Sequence, residues 1–259
     1  MKFFINSSAK SDVGRKRSIN EDAYLEQKND SLFIVADGMG GHAAGEIASK
    51  MAVEIVKDFM QTSKHKDIST WPFDWDSKLP IEANRLNNAV KLANREIFAK
   101  ANSDFSVAGM GTTIVTLFIH EGIAYIAHVG DSRAYLVRNS SIYRLTTDHS
   151  WVEDQVKAGN ISEEDARQHP MRNVITRALG TQDSVNVDIR MERWNINDYF
   201  VLCTDGLTTH LEDSEIINGL HKHNGMVKDI SKYLVNEANL KGGDDNITVI
   251  VVHVQKEVK

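Results

Sequence analysis

A strand that ends in a carboxylate is the feature of this sequence that most constrains its fold. The apolar run 32–36 predicts a fully buried strand, and Asp37 and Gly38 follow it directly. The glycines between 38 and 45 allow the backbone to turn tightly and to approach whatever the carboxylate binds. A helical pattern begins at Ala43. An Asp-Gly pair by itself usually marks only a turn, so it matters whether the pattern recurs.

The pattern does recur at other predicted strand ends. The segment FVLCTDGL repeats the order of strand and then acid, whereas NEDAYL and DDNITVIVVHV reverse it. In AYIAHVGDSRAYLV the acid lies between two strand patterns, which predicts a hairpin turn at 130–132. Carboxylates that converge on one point repel one another unless protons or cations lie among them. The acids in these segments are Glu21, Asp22, Asp131, Asp205 and Asp245.

Strand and helix signals are grouped along the chain and do not alternate. Residues 111–137 predict three successive strands joined by turns, and therefore an antiparallel meander. A doubly wound parallel fold would need alternating strands and helices, so an α+β class is favoured, with antiparallel sheets and helices packed outside them. The predicted helices cover 43–61, 82–101, 213–224 and 226–239. Further strands are predicted at 187–190, 199–203 and 247–254.

Two stretches lack a regular period. Residues 62–81 contain two prolines and two tryptophans, and this composition predicts an ordered loop because disordered linkers are rarely so aromatic. Residues 146–180 are polar and carry helix-cap signals such as Ser162. That segment predicts either a helical excursion over an opening or a plain surface connection.

Composition indicates one globular domain over residues 1–259. The formal charge of −6, from 36 acidic and 30 basic residues, comes without the basic stripe that is typical of nucleic-acid binding. A single cysteine, Cys203, excludes an intrachain disulfide and suits a reducing compartment. The N-terminus lacks the apolar stretch of a signal peptide, and no run of 18 apolar residues occurs. The sequence therefore predicts a cytoplasmic protein that binds neither nucleic acid nor membrane.

The acids listed above offer only oxygen ligands. Mg²⁺ and Mn²⁺ prefer carboxylate, carbonyl and water, whereas Zn²⁺ normally takes histidine or cysteine as well. A two-metal centre is the natural expectation, because ions about 3.5 to 4 Å apart can share a water and lower its pKa towards neutrality. Such centres act chiefly on phosphate esters.

A phosphate substrate also needs a cation and a proton donor. Arg17 lies close in sequence to the first acids, and a guanidinium fork can bind two phosphate oxygens. His42, in the glycine loop after Asp37, is the best-placed candidate for the general acid. His128 lies inside a strand pattern, which predicts a core residue. No role is assigned to His149, His169 and His210, although each could lie near the site.

Together these segments resemble the motifs of bacterial type 2C metal-dependent Ser/Thr protein phosphatases. In chain order they are SDVGRKRSINEDA, FIVADGMGGHAAGE, MGTTIV, AHVGDSRAY, DHS…HPMRNVITRALG, LCTDGL and GGDDNITVIVV, and the resemblance covers residues 8–254. It implies a four-layer α-β-β-α sandwich with the metals at one end of its two antiparallel sheets. It also implies hydrolysis of phosphoserine and phosphothreonine in proteins, commonly against a bacterial Ser/Thr kinase, and a mobile flap at about 148–175.

The resemblance implies a role for each acid. Asp37 would bridge two ions, Mn²⁺ or Mg²⁺, with Asp205 and Asp245 completing one site. Glu21 and the backbone carbonyl of Gly38 would complete the other.

Further residues follow from the same resemblance. Asp22 would hold water bound to the metal, and Asp131 with Asp205 would form a third, weaker site. Arg17 would bind the substrate phosphate, and His42 would be the general acid.

Two alternatives remain open at this point, and both keep the acids. One is a two-metal phosphodiesterase or nuclease, which the acidic charge disfavours. The other is a regulator that binds a phosphorylated protein without hydrolysing it. The chain is expected to act as a monomer.

Overall fold

The computed structural model describes residues 3–40, 44–65 and 70–256 of the chain. Its strands form two antiparallel sheets. In the first sheet the spatial order is β1 (Phe3–Asp12), β11 (Ile247–Lys256), β10 (Tyr199–Cys203), β7 (Arg133–Arg138) and β8 (Ser141–Arg144). In the second it is β2 (Asp22–Gln27), β3 (Leu32–Met39), β5 (Ile114–His120), β6 (Ile123–Val129) and β9 (Asp188–Arg193), with the short β4 (Gly111–Thr112) paired to β3.

Long helices cover the outer face of each sheet. Helices α1 (Ala44–Thr62) and α2 (Ile81–Ser103) pack on the second sheet, and α6 (Asp213–Lys222) and α7 (Val227–Leu240) pack on the first. Three short helices lie near one end of the sandwich: α3 (Trp151–Lys157), α4 (Glu163–Gln168) and α5 (Asp205–Thr208). The predicted four-layer α-β-β-α architecture is confirmed.

The unbroken apolar run of β3 follows from its position between two layers. Leu32 and Ile34 face the helices, whereas Phe33 and Val35 face the other sheet, so both faces of the strand are buried. Strand β11 is built in the same way, with Val249 and Val251 towards α7 and the alternate residues between the sheets. Strand β3, which contains Asp37, and strand β11, which follows Asp245, are therefore buried on both faces.

The predicted meander over 111–137 is wrong at its last step. Strands β5 and β6 pair as expected, but β7 pairs with β10 and β8 in the other sheet. The segment 130–132 is thus a crossover between sheets and not a hairpin turn. Gly130 has a φ of +106°, and a Cβ on it would lie 2.6 Å from the Cβ of Thr113, so the chain can pass here only as glycine. The residues Gly-Asp-Ser suit both a hairpin turn and a crossover between sheets, so they do not distinguish the two.

Other local expectations fare better. Trp71 is buried with its ring 6.1 Å from that of Phe59, as expected for an ordered aromatic loop in the described part of 62–81. His128 is buried, with Nε2 2.9 Å from the carbonyl oxygen of Thr147, so it is a core residue as predicted. Among the described helices none is both long and apolar enough to cross a membrane.

Candidate metal centre

The first acids are brought together by the pairing of β2 with β3. Asp22 and Asp37 are directly opposite one another in this ladder. The N–H of Gly38 donates to the carbonyl oxygen of Glu21 at 3.1 Å. Glu21, Asp22 and Asp37 therefore lie at the same end of the second sheet.

The remaining ligand candidates come from the first sheet. Asp205 follows β10 and Asp245 precedes β11, and these strands are neighbours. Gly206 allows their close approach, because a Cβ on it would lie 2.0 Å from the carbonyl oxygen of Asn246. The acids predicted from the sequence are thus assembled at one end of the sandwich.

Asn246 links the two sheets at this point. Its Oδ1 accepts from the Glu21 N–H at 2.8 Å, and its Nδ2 donates to the carbonyl oxygens of Val13 and Ile19 at 2.9 Å each. Its own N–H donates to Asp245 Oδ1 at 2.8 Å. No role was predicted for Asn246, although a polar residue at the start of the strongest strand pattern was a usable signal.

Asp22 lies behind the other carboxylates. Its Oδ2 accepts from Thr248 Oγ1 at 2.6 Å and from Thr204 Oγ1 at 3.0 Å. Burial raises the pKa of Asp22 to about 7, even though the two threonine hydrogen bonds lower it and Asp205 and Asp245 raise it further. Neither threonine was singled out from the sequence.

The acids raise one another's pKa. The pKa of Asp37 lies well above its ordinary value, first because protein atoms surround the carboxylate and then because Asp22, Asp205 and Asp131 carry like charge. Asp37 keeps partial solvent access at the mouth of the site. Burial, followed by repulsion from Asp205, raises the pKa of Asp131 to about 8. Such a group would gain most from a bound cation.

Carboxylate oxygens without a hydrogen-bond partner indicate whether the cluster is suited to binding cations. Buried polar atoms are almost always hydrogen-bonded, so an orphaned carboxylate oxygen needs an explanation. Hard divalent cations take such oxygens as ligands. Within the described part of the chain, the buried site oxygens without a hydrogen-bond partner are Glu21 Oε1, Asp22 Oδ1, Asp131 Oδ1 and Asp205 Oδ1. The residues therefore fit a divalent metal centre.

Thr113 connects Asp37 to the crossover that carries Asp131. Its Oγ1 accepts from the Asp37 N–H at 3.1 Å and lies 2.7 Å from Ser132 Oγ, and its N–H donates to the Asp37 carbonyl oxygen at 2.9 Å. The sequence did not single out this residue, because its partners are far away along the chain.

Replacing Thr113 with valine should therefore lower catalytic turnover at the acid cluster as well as stability. The hydroxyl is buried, and its loss leaves polar groups unpaired at a cost of about 1–3 kcal/mol. Thr116→Val is the matched control, because Thr116 is equally buried and, in the part of the chain that the structure describes, its Oγ1 bonds only to the backbone of Ala127. We expect both variants to lower the free energy of unfolding and only Thr113→Val to reduce turnover by more than about threefold. Equal turnover in the two would contradict the role of Thr113.

Arg17 and the histidines were the other predicted site residues. Arg17 is half exposed, and its Nη2 lies 2.7 Å from Asp245 Oδ2. His42 lies outside the described residues. His169 stacks on Trp151, with ring centroids 4.8 Å apart, and His210 Nε2 accepts from the N–H of Asp244 at 3.2 Å.

A cleft of about 800 Å³ opens beside the acids. Residues of α3 and α4 line one wall, residues of α5 and α6 line the other, and Asp131 and Asp205 lie on its floor. Residues 146–180, which contain α3 and α4, thus form the helical excursion over an opening that the sequence allowed. The fold and the site together define a class of protein, a metal-dependent hydrolase with an open cleft.

Comparison with known proteins agrees with this class. The family model described as protein phosphatase 2C matches residues 14–242. The serine/threonine phosphatase stp of Listeria monocytogenes is 36% identical over 255 residues, which cover 96% of this chain and 95% of that protein. The structure of the Mycobacterium tuberculosis serine/threonine phosphatase PstP/Ppp superposes with a TM-score of 0.85 at 31% identity, covering 98% of this chain and 100% of that one.

One structural relative also contains metal. The catalytic domain of the serine/threonine protein phosphatase PstP in complex with two manganese ions has a TM-score of 0.84 and 30% identity, with 98% of this chain and 100% of that chain covered. This chain belongs to the protein phosphatase 2C family. It is a metal-dependent hydrolase that removes phosphate from serine and threonine residues of proteins.

Proposed function

We propose that the chain is a single-domain phosphatase, residues 1–259 with a flap at about 148–175, whose acids hold two ions of Mn²⁺ or Mg²⁺. The observation that carries the proposal is the set of buried carboxylate oxygens at the acid cluster that have no hydrogen-bond partner among the described residues, two of which belong to Asp131 and Asp205 in the lining of the cleft. The two manganese ions in PstP support the same number here. The proposed ligands are Asp37 between the ions, Asp205 and Asp245 on one side, and Glu21 with the Gly38 carbonyl on the other.

Asp131 extends this centre. With Asp205 it would hold a third, weaker ion, and repulsion from Asp205 is the largest charge effect on its pKa. Bound divalent ions would supply a water of lowered pKa and neutralise charge on the phosphate. Among the described residues Asp22 Oδ1 has no hydrogen-bond partner, whereas two threonines donate to Oδ2, so Asp22 can orient a water or accept a proton at Oδ1.

Arg17 and His42 complete the proposed chemistry. Arg17 contacts Asp245 and is exposed enough to meet a substrate, so its guanidinium can bind two phosphate oxygens. His42 is proposed as the general acid on its place in the glycine loop of the sequence alone.

Arg17→Ala should mainly weaken substrate binding. We expect KM for a phosphothreonine peptide to rise about tenfold while kcat falls by less than about threefold, because the guanidinium contacts the phosphate in both ground and transition states. Lys16→Ala is the control, since Lys16 is an exposed neighbour of like charge. A large fall in kcat at unchanged KM would contradict the binding role.

Hydrolysis of different esters separates this proposal from its alternatives. The protein should release phosphate from a phosphothreonine peptide with Mn²⁺ and leave a bis-aryl phosphodiester largely intact. Preference for the diester would favour a phosphodiesterase, and persistence of the bound phosphopeptide with excess Mn²⁺ would favour a regulator without turnover. The relatives named above are phosphatases, so neither alternative is favoured.

We also propose the cellular setting. The chain would act as a cytoplasmic monomer on phosphorylated proteins, opposing a Ser/Thr kinase, and without nucleic-acid or membrane partners. The acidic charge supports the lack of a nucleic-acid partner.

A further inference from the structure

A buried histidine binds both polar groups of the glycine that precedes Asp131. The N–H of His149 donates to the Gly130 carbonyl oxygen at 3.0 Å. The N–H of Gly130 donates to His149 Nδ1, also at 3.0 Å. One residue therefore holds the peptide groups next to a proposed metal ligand.

The two hydrogen bonds with His149 matter because the backbone of Gly130 is not restricted by a side chain. Its φ of +106° is one of many conformations that glycine can adopt, so its own residue type does not fix it. Asp131 Oδ1 has no hydrogen-bond partner within the described part of the chain, so that atom does not fix the backbone either. The direction of the Asp131 carboxylate depends on how the backbone at Gly130 is held.

The same histidine joins the two ends of the flap. Its carbonyl oxygen accepts from the N–H of Thr176 at 2.8 Å. The next residue, Ser150, pairs with Ile175 in an antiparallel bridge. The base of the flap and the crossover at Gly130 are therefore both bonded to His149. A movement of one would displace the other.

The protonation of His149 suits this role. A neutral imidazole has one acceptor nitrogen, yet an Arg177 N–H lies 3.0 Å from Nε2 while the Gly130 N–H points at Nδ1. Arg177 can donate instead to Asp188 Oδ1 at 2.6 Å, whereas Gly130 has no other acceptor among the described residues. Burial lowers the pKa of His149 to about 4, so near neutral pH the ring is uncharged and Nδ1 can accept.

A metal site is the competing reading of this region. Ligand atoms of His128, His149 and Asp188 all lie within 4.8 Å of one another. The two imidazole rings, however, are stacked at 4.7 Å with an interplanar angle of 16°, so their in-plane lone pairs do not converge. Arg177 already places a cation against His149 and Asp188. The group is therefore better suited to holding the backbone than to binding an ion.

We propose that His149 is a positioning residue: it fixes the Gly130–Asp131 crossover against the flap base and so raises the affinity of the cation site that Asp131 serves. The inference rests on the proposed metal centre. It adds a residue that touches neither metal nor substrate.

Two substitutions separate the two ring nitrogens. In His149→Asn the amide oxygen can take the place of Nδ1, whereas in His149→Gln the amide reaches towards Nε2 and the acceptor for Gly130 is lost. The first readout is hydrogen exchange of the Gly130 amide in metal-free, ¹⁵N-glycine-labelled protein, followed by NMR. We expect slow exchange in the wild type and in His149→Asn, and exchange about tenfold faster in His149→Gln. Asp188→Asn changes the surroundings of His149 Nε2 and keeps an amide oxygen that can accept from Arg177, so it should leave Gly130 protected.

The second readout is Mn²⁺ binding by equilibrium dialysis, with phosphothreonine-peptide hydrolysis measured on the same samples. His149→Gln should lose about tenfold in affinity at its weakest site, and His149→Asn should stay within about twofold of the wild type. Equal exchange in both variants, or unequal exchange with unchanged Mn²⁺ affinity, would overturn the inference. Wild-type protein that binds Mn²⁺ without hydrolysing the peptide would count against the proposed function instead, while exchange and affinity still decide the role of His149.

Discussion

Replacing Asp37 with asparagine should lower the rate of phosphate release from a phosphothreonine peptide by about a thousandfold or more. Asp37 is the acid that Asp22, Asp131 and Asp205 all repel, so it lies at the electrostatic centre of the cluster. Asparagine keeps the size of the side chain and removes the charge that would attract two cations. The rate should be measured at several Mn²⁺ concentrations, since a weakened site could be refilled by excess metal.

A neighbouring pair of acids provides the control for this result. Asp245→Asn should behave like Asp37→Asn, whereas Asp244→Asn should retain most of the wild-type rate, because the Asp244 side chain is 61% exposed and its ion pair is with His210, outside the acid cluster. Substantial turnover by Asp37→Asn at saturating peptide would remove the case for a metal centre at this position. Equal losses of turnover in Asp244→Asn and Asp245→Asn would show that these substitutions act by disturbing the fold of the loop.

The stability of metal-free protein should fall as pH rises from about 6.5 to 8.5. The folded-state pKa is raised to about 7 at Asp22 and about 8 at Asp131, from an ordinary value of 3.8. A raised carboxyl pKa means that the folded state binds more protons than the unfolded state, so its contribution is lost as pH rises through the folded pKa. Buried His149 and His253, with pKa near 4, act oppositely, but only below about 6.5.

Adding Mn²⁺ should reverse this trend. Cations replace protons among the carboxylates, so the gain in melting temperature should be larger at pH 8 than at pH 6.5. We expect the metal-free Tm to fall by roughly 5 °C across this range and Mn²⁺ to restore at least that much at pH 8. Differential scanning calorimetry on chelator-treated and reloaded protein measures both. A metal-free Tm that rises with pH would show that the acids do not share protons in the folded state.

The sequence predicted those features of the fold and the site that depend on a few consecutive residues. The run 32–36 indicated a strand buried on both faces, and the acid at its end indicated a site. The predicted meander was wrong because Gly-Asp-Ser at 130–132 supports a crossover as well as a hairpin, and only the partners of β7 distinguish them. The strands β1 and β8 were missed because their residues are largely half-exposed and lack a continuous apolar run.

The residues that hold the site acids in place were not predicted from the sequence, for a different reason. Thr113 and Asn246 act through hydrogen bonds to residues that are distant along the chain, and no local period reports such contacts. His149 was noticed among the histidines, but its role depends on its distance to Gly130. Long-range hydrogen bonding is therefore where the structure adds most to the sequence.

The most direct test is the number of ions that the folded chain binds at its acid cluster. Wild-type protein, dialysed against Mn²⁺ near pH 7.5 and analysed for metal and protein together, should retain two ions per chain and release phosphate from a phosphothreonine peptide. Asp37→Asn should retain fewer ions and lose turnover in parallel. Hydrolysis by wild-type protein without bound divalent metal, or an undiminished ion count in Asp37→Asn, would contradict the assignment of these carboxylates.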